Sequence, residues 1–166
     1  MNLFLFMSTI GSLPLIAGDF YLEHYHKLCQ ELNGQHLAEV YNRFAHNYSW
    51  VTPIEEAAED YNNYQAVIIS DHRNVVQWVD SGFAAMTGYD SHEIVGNRPT
   101  ILHGPCTKKE EREAFRNGLA SNGSFTTAIT NHRKNGEAYL CQVKIVPLFN
   151  KNNELTHYIA FEREVA

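Results

Sequence analysis

The side chains able to do chemistry are spread along the chain rather than gathered in one motif. Nine histidines invite a metal centre. His24 and His26, two apart, leave a helix on different sides, and there is no HExxH or His-x3-His spacing, so no metal site is expected. Cys29, Cys106 and Cys141 cannot all pair, and no two form a CxxC. That points away from disulfides and zinc and toward a reducing, cytoplasmic setting. Cys106 stands just before Thr107, beside a positive helix end, and is the better candidate for a reactive thiol. Cys141 lies on the apolar face of a strand and reads as buried and inert. Glu162 has two readings. Close to the chain's end, a solvated or Lys/Arg-paired carboxylate is the expectation. Pointing inward instead, it would be desolvated and able to bind a polar ligand or a proton. GxSxG, P-loop and GxGxxG patterns and paired acid–base motifs are missing, so a non-catalytic chain is expected.

The elements that must position these groups fall into two textures. From Asp19 the spacing is helical: Tyr21, Tyr25, Leu28 and Leu32 share one face. After Gly34, which reads as an interruption, Leu37, Tyr41, Phe44 and Tyr48 share another. Thr52–Glu55 reads as a capping box opening a short helix to about Asp60. From Gln65 the texture is β. Ala66–Ile69 is apolar throughout and predicts a strand buried on both faces. A short strand at Asn74–Val79 follows, then helices at Asp80–Met86 and after Asp90. Thr107–Glu110 reads as a capping box for a helix to Ala120. Strands are predicted at Ser124–Asn131, Ala138–Val146 and Thr156–Glu162, with Asn135-Gly136 as a hairpin turn. In the last strand Tyr158 and Ala160 face one way and His157, Ile159 and Phe161 the other. One face suits the helices between the strands. The other needs a lid, and the amphipathic arm before Tyr61 can supply it. The expected class is α+β, an antiparallel sheet with helices on one face.

Composition narrows the class further. The 166 residues are 44% hydrophobic and 19% charged, which is globular. The net charge of -6 repels phosphate, and the basic runs Lys108-Lys109 and His132-Arg133-Lys134 are short, so nucleic acid is not expected as a partner. The apolar run Leu3–Met7 has no Lys or Arg ahead of it, unlike a signal peptide. Broken up by Ser8, Gly11 and Pro14, it is too short for a membrane span. It reads as an arm that packs on this chain or on a second copy.

Val79-Asp80-Ser81-Gly82-Phe83-Ala84-Ala85-Met86-Thr87-Gly88-Tyr89 resembles the PAS-domain segment that reads roughly VN-x-x-F-x-x-x-TGY. Glu93–Gly96, Pro99–Leu102, Gly104-Pro105, Asn131–Gly136 and Tyr158–Phe161 follow in PAS order. The resemblance covers about Gln65 to Ala166 and implies a five-stranded PAS core at 62–166, behind an apolar arm and helical cap at 1–61. The whole chain resembles small stand-alone bacterial PAS proteins. That implies signal sensing or regulated protein association, a homodimer through the N-terminal helices, and an unidentified signalling partner. A change at the concave face of the sheet would pass to the cap on its other side.

The PAS branch most similar in texture is the flavin-binding LOV type, which uses a cysteine within N-C-R-F-L-Q. Here that stretch reads Arg98-Pro99-Thr100-Ile101-Leu102-His103. Pro99 replaces the cysteine, and Thr100 the phosphate-facing Arg. Asn131 matches a flavin-contacting Asn, whereas Cys141 and Glu162 replace an Asn and a Gln. Each buried polar group left unpaired would cost about 1–3 kcal/mol. The expectation is therefore no resident cofactor. The alternative is a flavin- or haem-binding photoreceptor or redox/gas sensor, with His103 as the haem-ligand candidate. The candidate pocket lining is Phe125, Asn131, Tyr139, Cys141, Tyr158 and Glu162. The bulk of Phe125, Tyr139 and Tyr158 predicts a small or filled pocket.

Overall fold

A computed structural model describes residues 15–54 and 61–165. The apolar run at Leu3–Met7 and most of the helix expected up to Asp60 lie outside the described residues, as do the side chains of Tyr21, Leu28, Cys29 and Leu32. The chain divides into two compact units, the second beginning at His36.

Helix α1 runs Leu15–Tyr48 without a break. Gly34 does not end it, contrary to the two-helix expectation. A mid-helix glycine costs only about 1 kcal/mol relative to alanine, and helical turns continue on both sides. Within the second unit, Leu37, Val40 and Tyr41 are buried on one face of α1, and the Tyr41 hydroxyl donates to the Thr52 carbonyl at 2.7 Å.

The strands are β1 Ala66–Asp71, β2 Val76–Val79, β3 Phe125–His132, β4 Ala138–Phe149 and β5 Leu155–Glu164. They form one antiparallel sheet in the order β2-β1-β5-β4-β3. Between β2 and β3 lie α2 Ser81–Thr87, α3 Ser91–Ile94, a 3-10 turn Pro99–Leu102 and α4 Lys109–Ala120. Asp80 caps α2, accepting from the Phe83 N–H at 3.1 Å, and Gly88 closes it at φ 76°. The left-handed backbone there favours glycine. The cap of α4 differs from expectation: Glu111 reaches back to the Lys108 N–H at 3.0 Å. Thr107 is used otherwise. Its hydroxyl donates to the Thr130 carbonyl of β3 at 2.6 Å and accepts from the Gly104 N–H at 2.9 Å.

Both faces of the sheet are covered. On the inner face Ile68, Ile129, Tyr139, Val143, Ile145 and Tyr158 pack with Phe83, Ile94 and Leu102. On the outer face Val67, Ile69, Val146, Leu148, Ile159 and Phe161 pack with Leu37, Val40, Tyr41 and Trp50. The alternation of β5 assigns its residues to these faces as expected from sequence, and the lid for the outer face includes α1 from Leu37 onward.

Candidate functional site

The inner face of the sheet encloses a cavity of about 390 Å³, within the size range of small-molecule sites. Strand alternation builds its floor: Ile68 and Ser70 from β1, Tyr158, Ala160 and Glu162 from β5, Val143 and Ile145 from β4, Ile129 and Asn131 from β3. Leu102 of the 3-10 turn and Phe115 and Leu119 of α4 form the opposite wall. The small or filled pocket expected from sequence is therefore corrected. Phe125 takes up no space there, because its ring turns against Phe115 edge-on at 6.0 Å. A Cβ on Gly118 would collide with that ring, so glycine lets α4 approach β3.

Besides Ser70 and the Tyr158 hydroxyl, the polar groups on this floor are an amide and a carboxyl. Asn131 and Glu162 are 3% and 5% exposed, and both line the cavity. The solvated carboxylate expected at Glu162 is thus not found. Pairing of β5 continues past it to Glu164, opposite Cys141, while β1 pairs on its other side. Burial pushes the Glu162 carboxyl up to about 7, with the charge of Asp80 adding to the shift and the Cys141 thiol opposing it. The thiol donates to Glu162 Oε2 across 3.8 Å. Burial also pushes the Cys141 thiol far up, so it is neutral and unreactive.

The mouth has the opposite character. Arg73 after β1, Arg98 before the 3-10 turn, and Arg112 and Arg116 on α4 all line the cavity. The last two are four residues apart and share a helix face. One Arg112 nitrogen is anchored to the Thr107 carbonyl at 3.1 Å. His72 and His103 join the rim. Burial and the charge of Arg112 push His103 down, so its imidazole is neutral at pH 7. Among the lining residues Glu162 is the one carboxylate. The cavity therefore suits a largely apolar body with polar atoms facing Asn131 and Glu162 and an anionic group facing the arginines.

Of the six candidate lining residues, Asn131, Tyr158 and Glu162 meet at the cavity. Cys141 is fully buried behind Glu162, and Tyr139 is buried beneath the Arg133 guanidinium at 4.5 Å. The four arginines escaped the sequence reading because they come from separate segments. The Arg112–Arg116 spacing was the one available signal. Cys106 is exposed and does not line the cavity. Asp90, His92 and Glu93 bring potential ligand atoms together at the surface, but the Glu93 carboxylate is occupied by Lys134 at 2.7 and 2.8 Å.

Comparison with known proteins gives this geometry a context. The PAS domain family matches residues 65–166. A blue-light photoreceptor of Listeria innocua is 29% identical over 102 residues, covering 60% of this chain and 40% of that protein. The chain thus spans less than half of that relative's length. A light-oxygen-voltage (LOV) domain studied with a flavin analogue is 28% identical, with a TM-score of 0.60, covering 64% of this chain and 81% of that one. The dark-state LOV structure of Aureochrome1, at 20% identity, shares the fold with a TM-score of 0.63 over 70% of this chain and 85% of its own. These relatives overturn the expectation of no cofactor. That expectation counted lost polar contacts. It missed the open cavity, the buried carboxyl at its inner end and the cationic mouth. Among the described residues no helix is long and apolar enough to cross a membrane.

Proposed function

The chain belongs to the PAS domain family, and from that premise we propose that it is a flavin-binding sensory domain that signals without a cysteine–flavin bond. The observation carrying this reading is the cavity itself: a largely apolar space lined by the buried Asn131 and Glu162 and by the exposed Arg73, Arg98, Arg112 and Arg116. Those groups fit flavin mononucleotide, whose ring system is planar, whose ring edge is polar and whose tail carries a phosphate. Arginine forks hold phosphate well. When bound, a flavin supplies blue-light absorption and electron transfer. Neither Cys106 nor Cys141 lines the cavity, and Pro99 lines it where the LOV pattern has its cysteine, so these residues supply no thiol to the ring.

The output runs through the sheet. Glu162 sits between Phe161 and Arg163 on β5, and Phe161 packs on the outer face beside Tyr64 at 5.6 Å. A change in the hydrogen bonding of Glu162 would shift β5 and be felt by the outer-face cluster that holds Leu37, Val40 and Tyr41. Segment 1–61 is the proposed dimerisation and output element, acting on a second copy or on another signalling protein. Leu22 and Tyr25, each 55% exposed on α1, supply apolar surface for that contact. A flavin or light signal alters the pairing only if the two states differ in affinity.

Reconstitution tests the reading. The full chain is mixed with flavin mononucleotide, desalted, and followed by absorption under blue light with and without an added thiol reductant. Retained flavin that bleaches only with the reductant is the expected result. Loss of all flavin on desalting, with no saturable binding before it, would remove the cofactor from the proposal.

A further inference from the structure

The flavin reading leaves the inner end of the cavity to a group that can exist in two charge states. We propose that Glu162 makes ligand binding proton-linked: its neutral carboxylic acid pairs with the ring of the bound flavin, and its ionised form disfavours that ring. The inference rests on the flavin reading above and adds a regulation of the same site.

The geometry supplies the argument. Glu162 is held on β5 between β1 and β4, with Ala66 and Val143 as its cross-strand partners. Its side chain is buried yet lines the cavity. Of the charged and titratable groups packed about it, only the Cys141 thiol favours its ionised form, and burial outweighs that bond. From β4 come the Cys141 thiol at 3.8 Å and the Tyr139 phenol, both neutral because burial pushes them up. From the start of α2 comes the carboxyl of Asp80, a like charge. The cations that line the cavity, Arg73, Arg98, Arg112 and Arg116, stand at the mouth with His72 and His103.

A neutral carboxylic acid offers one O–H donor and an acceptor, whereas a carboxylate only accepts. On an oxidised flavin ring N1, N5 and the two carbonyls accept and N3–H donates, so the acid can pair at any of these atoms, whereas the anion can pair only with N3–H and is repelled by the acceptors. Seating a ring over Glu162 also expels water from the cavity, and desolvation favours the neutral acid. Both effects bind a proton with the ligand. By linkage, ligand affinity then falls as pH rises through the titration of Glu162 in the free protein. The direction of its shift, upward with burial as the largest cause, brings that titration near neutrality.

The experiment is equilibrium binding of flavin mononucleotide and of riboflavin to the full chain, read by flavin fluorescence from about pH 6 to about pH 9. Riboflavin has no phosphate, whose own titration lies near pH 6. Wild type should lose up to about tenfold in affinity per pH unit above neutrality with either ligand. Glu162→Gln, always neutral and still a donor and acceptor, should bind with no such slope. Calorimetry of wild type in buffers of different ionisation enthalpy should show about one proton taken up per flavin near pH 8, a readout that needs no variant. A flat wild-type profile, a slope kept in Glu162→Gln, or affinity rising with pH would overturn the proton linkage while leaving flavin binding intact. No binding by either protein at any pH would overturn the flavin reading itself, and this inference with it.

Discussion

Two buried groups make the apoprotein's stability respond to pH in opposite directions. Glu162 is raised from 4.5 to about 7. The folded chain keeps this proton to higher pH than the unfolded chain does. Its stabilising effect is full below about pH 4.5 and is lost as pH rises through 7. That difference is about 3 kcal/mol, so Glu162→Gln should stabilise the apoprotein by up to that amount near pH 8 and change little near pH 4.5. Urea unfolding at both pH values measures it. An equal effect at both would mean the carboxyl does not titrate in this range. His157, on the outer face of β5, behaves conversely. Burial pushes it down from 6.5 to about 4. Its ring lies against Tyr48, Trp50 and Phe44 at 4.2, 5.2 and 5.8 Å, and its Nδ1 has no hydrogen-bond partner among the described residues. Its contribution is present above pH 6.5 and lost as pH falls through 4. His157→Phe should therefore flatten the acid limb of the melting-temperature profile between those values. An unchanged acid limb would place the loss at other groups.

At the scale of elements, one carboxylate fastens a helix to a strand. Asp80 Oδ1 accepts from the Phe83 N–H of α2 at 3.1 Å and from the Val67 N–H of β1 at 3.0 Å. Asp80→Ala removes a helix cap and strands a buried donor, and should cost about 2 kcal/mol. Asp80→Asn keeps the accepting oxygen and should lose less than Ala in chemical unfolding. Equal losses would mean that the charge matters more than the acceptor. The helix was legible from local sequence, but Asp80 was read as its first residue, and the bond to Val67 comes from a separate strand. The strands were legible too, since turn residues bound them and the alternation of β5 marks its two faces. What escaped the sequence was decided by pairing and tertiary contact. Glu162 looked terminal, yet β5 extends to Glu164 and strands flank it on both sides. Thr107 looked like a cap, but its hydroxyl is used on β3. Gly34 looked like a break because a glycine carries no record of the turns around it. The four arginines were unreadable as a set, since only the fold brings Arg73 and Arg98 beside Arg112 and Arg116.

For the whole molecule, the second compact unit holds both the cavity and the cover of the outer face. Leu37, Val40, Tyr41 and Trp50 are at most 7% exposed, and all pack with outward-facing strand residues. Removing residues 1–35 leaves every one of them in place. Removing residues 1–61 takes all four away and opens Val67, Ile69, Val146, Leu148, Ile159 and Phe161 to water. Losing a single large core side chain costs about 2–5 kcal/mol, and the stability of a domain is only about 5–15 kcal/mol. The shorter deletion should therefore unfold cooperatively and take up flavin like the full chain, whereas the longer one should aggregate or lose cooperativity. The same pair of proteins bears on signalling. If the first 35 residues carry the self-association proposed for the N-terminal segment, the shorter deletion should remain folded yet run as a monomer in native mass spectrometry beside a dimeric full chain. A shorter deletion that still dimerises with undiminished affinity would move the interface into the unit that starts at His36. The outer-face cluster would then have to be read as part of the contact as well as the route by which β5 reaches it.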